Sequence, residues 1–248
     1  MKLVLSWLKE FVDIDGSLEE LAHAMTMIGL EVENIQLIGL AMPEGEHLEH
    51  QYSGLTWDKE KVVVAEVSEV MPHPNADRLV LCKLSDGQTE QVVLTGAPNL
   101  FDYKGKGPLA KPLKVAYAKE GTTLYDGHQP GKILTTLKRM KIRGVESSSM
   151  ICSEKELGIS DEHEGVIILD DDAPVGMPLV DYMGDAVIEV SILPNMVRDA
   201  CMLGAAREIA AALNKPLRHP QPKLQGDGPK ISGEVAIEIT DPNLNPRF

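Results

Sequence analysis

Two distant stretches of this chain are each too small to fold alone, and that constrains every architecture open to it. Residues 1–39 offer one amphipathic helix and one strand, and residues 185–217 offer one strand and one helix. Units below about 40 residues rarely bury a core unaided. The two are expected to share one core as a discontinuous α+β domain, with everything between them an insertion.

In the first stretch Ser17 and Glu20 form a capping-box pattern, in which each satisfies an orphan amide of the other. Leu18, Leu21, Met25 and Ile28 follow at helical spacing, and Gly29 supplies a stop. The strand "LEVENIQLI" comes next. In the second stretch "AVIEVSIL" places Ile188, Val190 and Ile192 on one face and Glu189 and Ser191 on the other. The helix "DACMLGAAREIAAALN" takes Asp199 as N-cap, buries Leu203, Ala206, Ile209 and Leu213, and ends at Asn214 and Pro216. Gly204 inside it costs about 1 kcal/mol relative to Ala, so another backbone is expected to pack closely there.

Residues 40–60 break all periodicity and read as a linker. From 61 to 184 short strands alternate with turn signals. "KVVVAEVSEV" alternates as a half-buried strand, "LVLCKL", "QVVLT", "LKVAYA", residues 137–143 and "GVIIL" continue the series, and "SEKEL" reads as a short helix. "HPNADRL" is a turn and "APNLFDYKGKGPLAKP" a loop. Such spacing suits a small closed barrel, with the five-stranded OB type in front. The expected class is α+β, mainly β. Residues 218–232 read as a linker, and 233–248 as the start of a truncated further domain with one strand and a turn.

The formal net charge is −14, yet between Lys104 and Arg143 ten basic residues meet only Glu120 and Asp126. An acidic body with one basic segment indicates a local anionic partner. Along the strand at 137–143 a period of two places Arg139, Lys141 and Arg143 outside, with Lys138 beside them and Met140 and Ile142 directed into the barrel. Evenly spaced cations suit a phosphate backbone, and Ser147, Ser148 and Ser149 add neutral hydrogen bonds. Aromatic residues make up 4% of the chain, so recognition rests on backbone and shape more than on base stacking. The alternative is a charged strand that merely stays solvated.

Other chemistries find little support. "GHQPGK", residues 127–132, lacks the interval and the Ser/Thr of a phosphate-binding loop, and no G-x-G-x-x-G or G-x-S-x-G occurs. His73 and His163 have no companions at metal-ligand spacing, and Cys82, Cys152 and Cys201 read as buried free thiols. No apolar run is long enough to span a bilayer and the N-terminus lacks a secretory signal, so a cytoplasmic protein is expected.

The segments "MKLVLSWLKEFVDI", "HPNADRL", "LTGAPN", "KIRGVESSSMICSEKELGI" and "GAAREIAAALNKPL" occur in the order found in the N-terminal part of bacterial phenylalanyl-tRNA synthetase beta subunits, which the chain resembles over nearly its whole length. The middle is also similar to OB-type tRNA-binding domains appended to methionyl-tRNA synthetases. The resemblance implies a winged-helix-like domain, 1–39 and 185–217, interrupted by an OB module at 61–184 that binds tRNA. Asn75, Arg78, Lys138, Arg139, Lys141, Arg143, Ser147, Ser149 and Ser153 are the residues expected to bind tRNA. Ser149 stands where the family usually carries Gly, and Met196, Val197, Arg198 and Asp199 stand where an Arg-x-Asp segment is usual.

By the same resemblance this segment holds no catalytic site, metal or cofactor, whereas the complete ligase uses ATP and magnesium. Its partners would be tRNA and an alpha subunit in an alpha2beta2 heterotetramer, with neither membrane nor DNA involved. The segment would contribute tRNA affinity and subunit architecture to aminoacylation of tRNA(Phe). A purely architectural module and a free-standing tRNA chaperone are the other readings.

Overall fold

The computed structural model describes residues 1–45, 48–223, 226, 228 and 230–244, and divides into two units, Met1–Arg218 and His219–Phe248. The first unit opens with β1 (Lys2–Val4), α1 (Leu5–Phe11), α2 (Leu18–Met27), β2 (Glu31–Gly39) and β3 (Tyr52–Thr56). Then come β4 (Val62–His73), β5 (Ala76–Ser85), β6 (Glu90–Thr95), β7 (Pro108–Ala118), β8 (Thr123–Tyr125), β9 (Leu134–Thr136), β10 (Met140–Ile142), β11 (Val145–Ser147) and β12 (Met150–Ile151). It closes with α3 (Leu179–Met183), β13 (Asp185–Ser191) and α4 (Met202–Ala212). The fold is α+β, with most of its regular structure in sheets.

The first sheet has the order β1-β13-β2-β3, with β13 antiparallel to both neighbours and β3 parallel to β2. Helices α1, α2 and α4 cover it, and Leu3, Leu8, Leu21, Ile35, Ile188 and Ile209 meet in one core. Ser17 caps α2 as the sequence predicts, accepting from the Glu20 amide while the Glu20 carboxylate accepts from the Ser17 amide. In α4 a Cβ on Gly204 would lie 2.2 Å from the Arg198 carbonyl oxygen. That is the close backbone approach expected of a mid-helix glycine.

The second sheet runs β12-β7-β4-β5-β6, antiparallel throughout. Val63 and Ala65 of β4 enter a core shared by Val80, Val93 and Ile151, whereas Val62 and Val64 enter a second core with Trp57, Leu124 and Leu157. Both faces of early β4 are thus covered, so this strand is fully buried where alternation alone suggested half burial. Val93 of β6 and Ile151 of β12 share a core although they lie on the two outer strands. Among the described residues no backbone pairing joins those strands, so hydrogen bonds do not close the sheet into a barrel.

Where β5 meets β6, Asp86 lies 3% exposed and accepts from the Thr89 and Gln88 amides at 2.7 and 3.0 Å. The Lys119 ammonium, just past β7, stands 2.8 Å from its other oxygen. Burial alone would raise the pKa of Asp86, but the Lys119 ammonium and the two amides outweigh it and hold the carboxyl well below the usual range. This clamp ties the end of β7 to the β5–β6 turn.

Several expectations need correction. Residues 40–60 contain β3, which pairs with a strand distant in sequence. "GVIIL" forms no strand: it contributes an isolated bridge from Ile168 to Val115, with the Ile167 and Leu169 amides donating to the Cys152 and Lys114 carbonyls. "SEKEL" is a single turn, closed by the Gly158 and Ile159 amides donating to the Lys155 and Glu154 carbonyls. The N-cap of α4 is Cys201, whose sulfur accepts from the Gly204 amide, while Asp199 is fully buried upstream. Cys201 is therefore exposed, unlike the buried thiols of Cys82 and Cys152. In the second unit residues 233–244 form no strand and are exposed, and the rest of that expected strand and turn, residues 245–248, lies outside the described residues. No helix among the described residues is long and apolar enough to cross a membrane.

Candidate nucleic-acid interface

The cationic stretch folds as a hairpin of its own. β10 pairs with β11 in the register Met140–Ser147, Lys141–Glu146 and Ile142–Val145, apart from the five-stranded sheet. The two residues between the strands, Arg143 and Gly144, have φ of 50° and 98°. Positive φ at both central positions is the signature of a tight hairpin turn, which glycine adopts freely and arginine rarely. The assignment of faces fails here: Met140 is 56% exposed and does not enter a barrel, because a two-stranded ribbon has no interior to receive it. The cations stay outside. Lys138, Arg139, Lys141 and Arg143 are all exposed.

Two acidic neighbours temper this charge. Arg139 faces Glu120 at 3.7 Å across solvent, and Lys141 stands opposite Glu146 in the ribbon register. An exposed pair of that kind is worth at most about 1 kcal/mol, so both cations remain available to a polyanion.

The structure brings two of the sequence-predicted residues together. Asn75, in the turn between β4 and β5, donates its side-chain amide to the Arg143 carbonyl at 3.3 Å. Its backbone amide donates to Nδ1 of His73 at 3.0 Å. That bond leaves the imidazole proton on Nε2, which is buried without a partner. The tip of the β10–β11 ribbon is thus fastened to the β4–β5 turn. Arg78, exposed on β5, lies three residues beyond Asn75.

The serines behave differently. Ser147 is half-buried and donates to the Ser149 carbonyl at 3.3 Å. Ser149 is buried. Ser153 is also buried, and its amide and hydroxyl both donate to the Glu156 carboxylate, at 2.6 and 2.8 Å. Ser153 therefore holds a turn of the fold through Glu156, and Ser149 offers little exposed surface.

Sequence reasoning missed the fastening role of Asn75 and the Asp86 clamp. Each had a local signal. Gly144 between two short β-prone runs marks a tight turn, and Asp86-Gly87 opens the four-residue turn between β5 and β6. Among the described residues no group of three or more His, Cys, Asp or Glu side chains is arranged to hold a metal ion.

Residues 62–178 match the family model described as "Putative tRNA binding domain". The phenylalanine–tRNA ligase beta subunit of Dehalococcoides mccartyi is 39% identical over 248 residues, and those of Geobacter sulfurreducens and Salinibacter ruber are 38% and 36% identical over 250 and 260 residues. Each alignment covers 100% of this chain but only 27%, 27% and 28% of the relative, so the chain spans about a quarter of their length. Among solved structures, a MetRS-related protein from Pyrococcus horikoshii aligns with 47% of this chain and 86% of its own at 20% identity, with a TM-score of 0.31 that is too low to bear on the fold. The chain is therefore similar, along its whole length, to bacterial phenylalanine–tRNA ligase beta subunits, and its residues 62–178 match the tRNA-binding domain family.

Proposed function

We propose that this chain binds tRNA and contributes tRNA affinity and subunit architecture to a phenylalanine–tRNA ligase whose chemistry takes place elsewhere. The observation that carries the reading is the exposed ribbon tip: Lys138, Arg139, Lys141 and Arg143 on one hairpin, fastened through Asn75 to the turn that precedes Arg78. Flexible cations on a fixed hairpin suit a phosphate backbone, which needs positive charge at regular intervals and little base-edge recognition. The match of residues 62–178 supports the same partner.

The five-stranded sheet, with its outer strands sharing a core, is read as an OB-type barrel spanning 61–184, and the helix-covered sheet of 1–39 and 185–217 as the winged-helix-like domain that holds it. Residues 218–232 are read as a linker in the same proposal. An alpha subunit in an alpha2beta2 heterotetramer, ATP and magnesium in the complete ligase, and a cytoplasmic setting belong to the same proposal.

One observation favours a second reading. Met140, exposed between the cations, suits a protein partner better than RNA, as expected of an architectural module. A titration of the 248-residue chain with tRNA at several salt concentrations decides between them. Saturable binding that weakens steeply with salt supports the tRNA reading, and no saturable binding at low salt contradicts it.

A further inference from the structure

The segment Gly-His-Gln-Pro-Gly-Lys at 127–132 has the wrong spacing for a phosphate-binding loop, and the structure gives it the wrong polarity as well. Its carbonyls face a lysine: Lys155 Nζ donates to the Gly127 and Gln129 carbonyl oxygens at 2.8 and 2.9 Å. Yet the same loop forms one wall of a polar cleft of about 180 Å³. Gly131 and Lys132 line it on that side, Lys2 of β1 and Gln36 of β2 on another, and Lys155 and Asp161 complete it.

Three ammonium groups therefore share the cleft with one carboxylate. None of Lys2, Lys132 and Lys155 forms an ion pair among the described residues, although Lys2 stands opposite Glu189 in the β1–β13 register. Lys155 is held by two carbonyls, and an ammonium carries three donors, so one remains for a ligand. Gln36 is fixed too, its amide donating to the Gly158 carbonyl at 3.0 Å. A chain of net charge −14 thus concentrates unpaired positive charge in a recess, where low-dielectric walls strengthen each interaction. The uncompensated charge is near +2, which a single carboxylate or a backbone phosphodiester does not balance and a terminal phosphate group, with charge of about −1.5 to −2, does.

We propose that this cleft binds a phosphate group, held by Lys2, Lys132 and Lys155. Two sources share that chemistry, a terminal phosphate of RNA and a free inorganic phosphate or pyrophosphate. The proposal stands on the cleft and not on the basic ribbon. It also joins β1 and the two later segments through one ligand, so occupancy should stabilise the fold.

The test uses the 248-residue chain and pyrophosphate at constant ionic strength, with chloride as control. Expected is a saturable rise in thermal midpoint beyond the chloride control, weakened at least tenfold by Lys2→Gln with Lys132→Gln and retained by Lys2→Arg with Lys132→Arg. A second arm titrates tRNA into the same variants. If the phosphate comes from RNA, pyrophosphate competes with tRNA and the Gln pair flattens the dependence of log K on log salt by about one to two. If it is free, only the pyrophosphate response is lost. Failure of the wild-type chain to bind tRNA would remove the tRNA reading and leave the pyrophosphate arm to decide the cleft. The proposal is overturned if pyrophosphate gives no response beyond chloride and the tRNA titration is unchanged in the Gln pair, or if pyrophosphate binding survives the Gln substitutions.

Discussion

The side-chain amide of Asn75 reaches the backbone carbonyl of Arg143 at 3.3 Å, joining two turns that lie 68 residues apart in the chain. Because Asn75 is itself anchored by His73, this bond sets where the β10–β11 ribbon points, and so where its cations sit. Asn75→Ala removes an exposed hydrogen bond worth about 0.5–1.5 kcal/mol and frees the tip. The expected outcome is a thermal midpoint within a few degrees of wild type and tRNA affinity reduced roughly fivefold, measured by calorimetry and by titration. Unchanged affinity would show that the fastening does not position the binding residues.

Asp86→Asn tests the clamp between β7 and the β5–β6 turn. The folded carboxyl titrates below its unfolded value, so its stabilisation is fully present above the unfolded pKa of about 3.9 and is lost as pH falls toward the folded value. Leaving Lys119 without its buried partner should cost about 2–4 kcal/mol at pH 7. Urea unfolding of both proteins from pH 7 down to pH 3 should show the gap narrowing with acidification. A gap that stays constant would remove the carboxylate from the account.

Gly204→Ala should destabilise, although alanine is the better helix former by about 1 kcal/mol. A Cβ there meets the Arg198 carbonyl oxygen at 2.2 Å and the Asp199 Cα at 2.9 Å, and backbone does not yield as a flexible side chain does. A loss of about 1–3 kcal/mol in urea is expected. A gain would mean that α4 sits further from the preceding turn.

Thiol reactivity should single out Cys201. Burial pushes the Cys82 thiol up to about 12 and raises Cys152 well above its ordinary value, whereas Cys201 is exposed at a helix N-terminus. Ellman's reagent at pH 8 should modify one thiol promptly in the native chain and the other two only on unfolding. Cys201→Ser should abolish the fast phase.

What the sequence made legible was local. Ser17 and Glu20 reveal the start of α2 because a capping box is closed by residues three apart, and Gly204 betrays its neighbour because a mid-helix glycine needs a reason. β3 stayed hidden, since "YSGLT" is short and interrupted by glycine and becomes a strand only by pairing with β2. The ribbon was half legible. A period of two sets Lys141 apart from Met140 and Ile142 in β10, but it carries no information on whether anything covers either face, and it does not foresee the turn at Arg143. Asn75 and Arg143 are each visible as candidates, while the bond between them is set by how the two turns pack. Ser149 and Ser153 look alike in the sequence, whereas burial of both and the engagement of Ser153 by Glu156 are set by the fold.

The central claim is that the ribbon cations meet the phosphates of tRNA, and the salt dependence of tRNA binding tests it most directly. The variant Arg139→Gln with Lys141→Gln and Arg143→Asn neutralises three exposed charges, and asparagine tolerates the positive φ at position 143. Folding should be preserved, since exposed substitutions cost within about 0.5 kcal/mol each. Each lost phosphate contact releases about one counterion fewer, so the slope of log K against log salt should flatten by roughly two to three, with affinity falling most at low salt. A folded variant with the wild-type slope and affinity would contradict the claim and leave the ribbon as architecture.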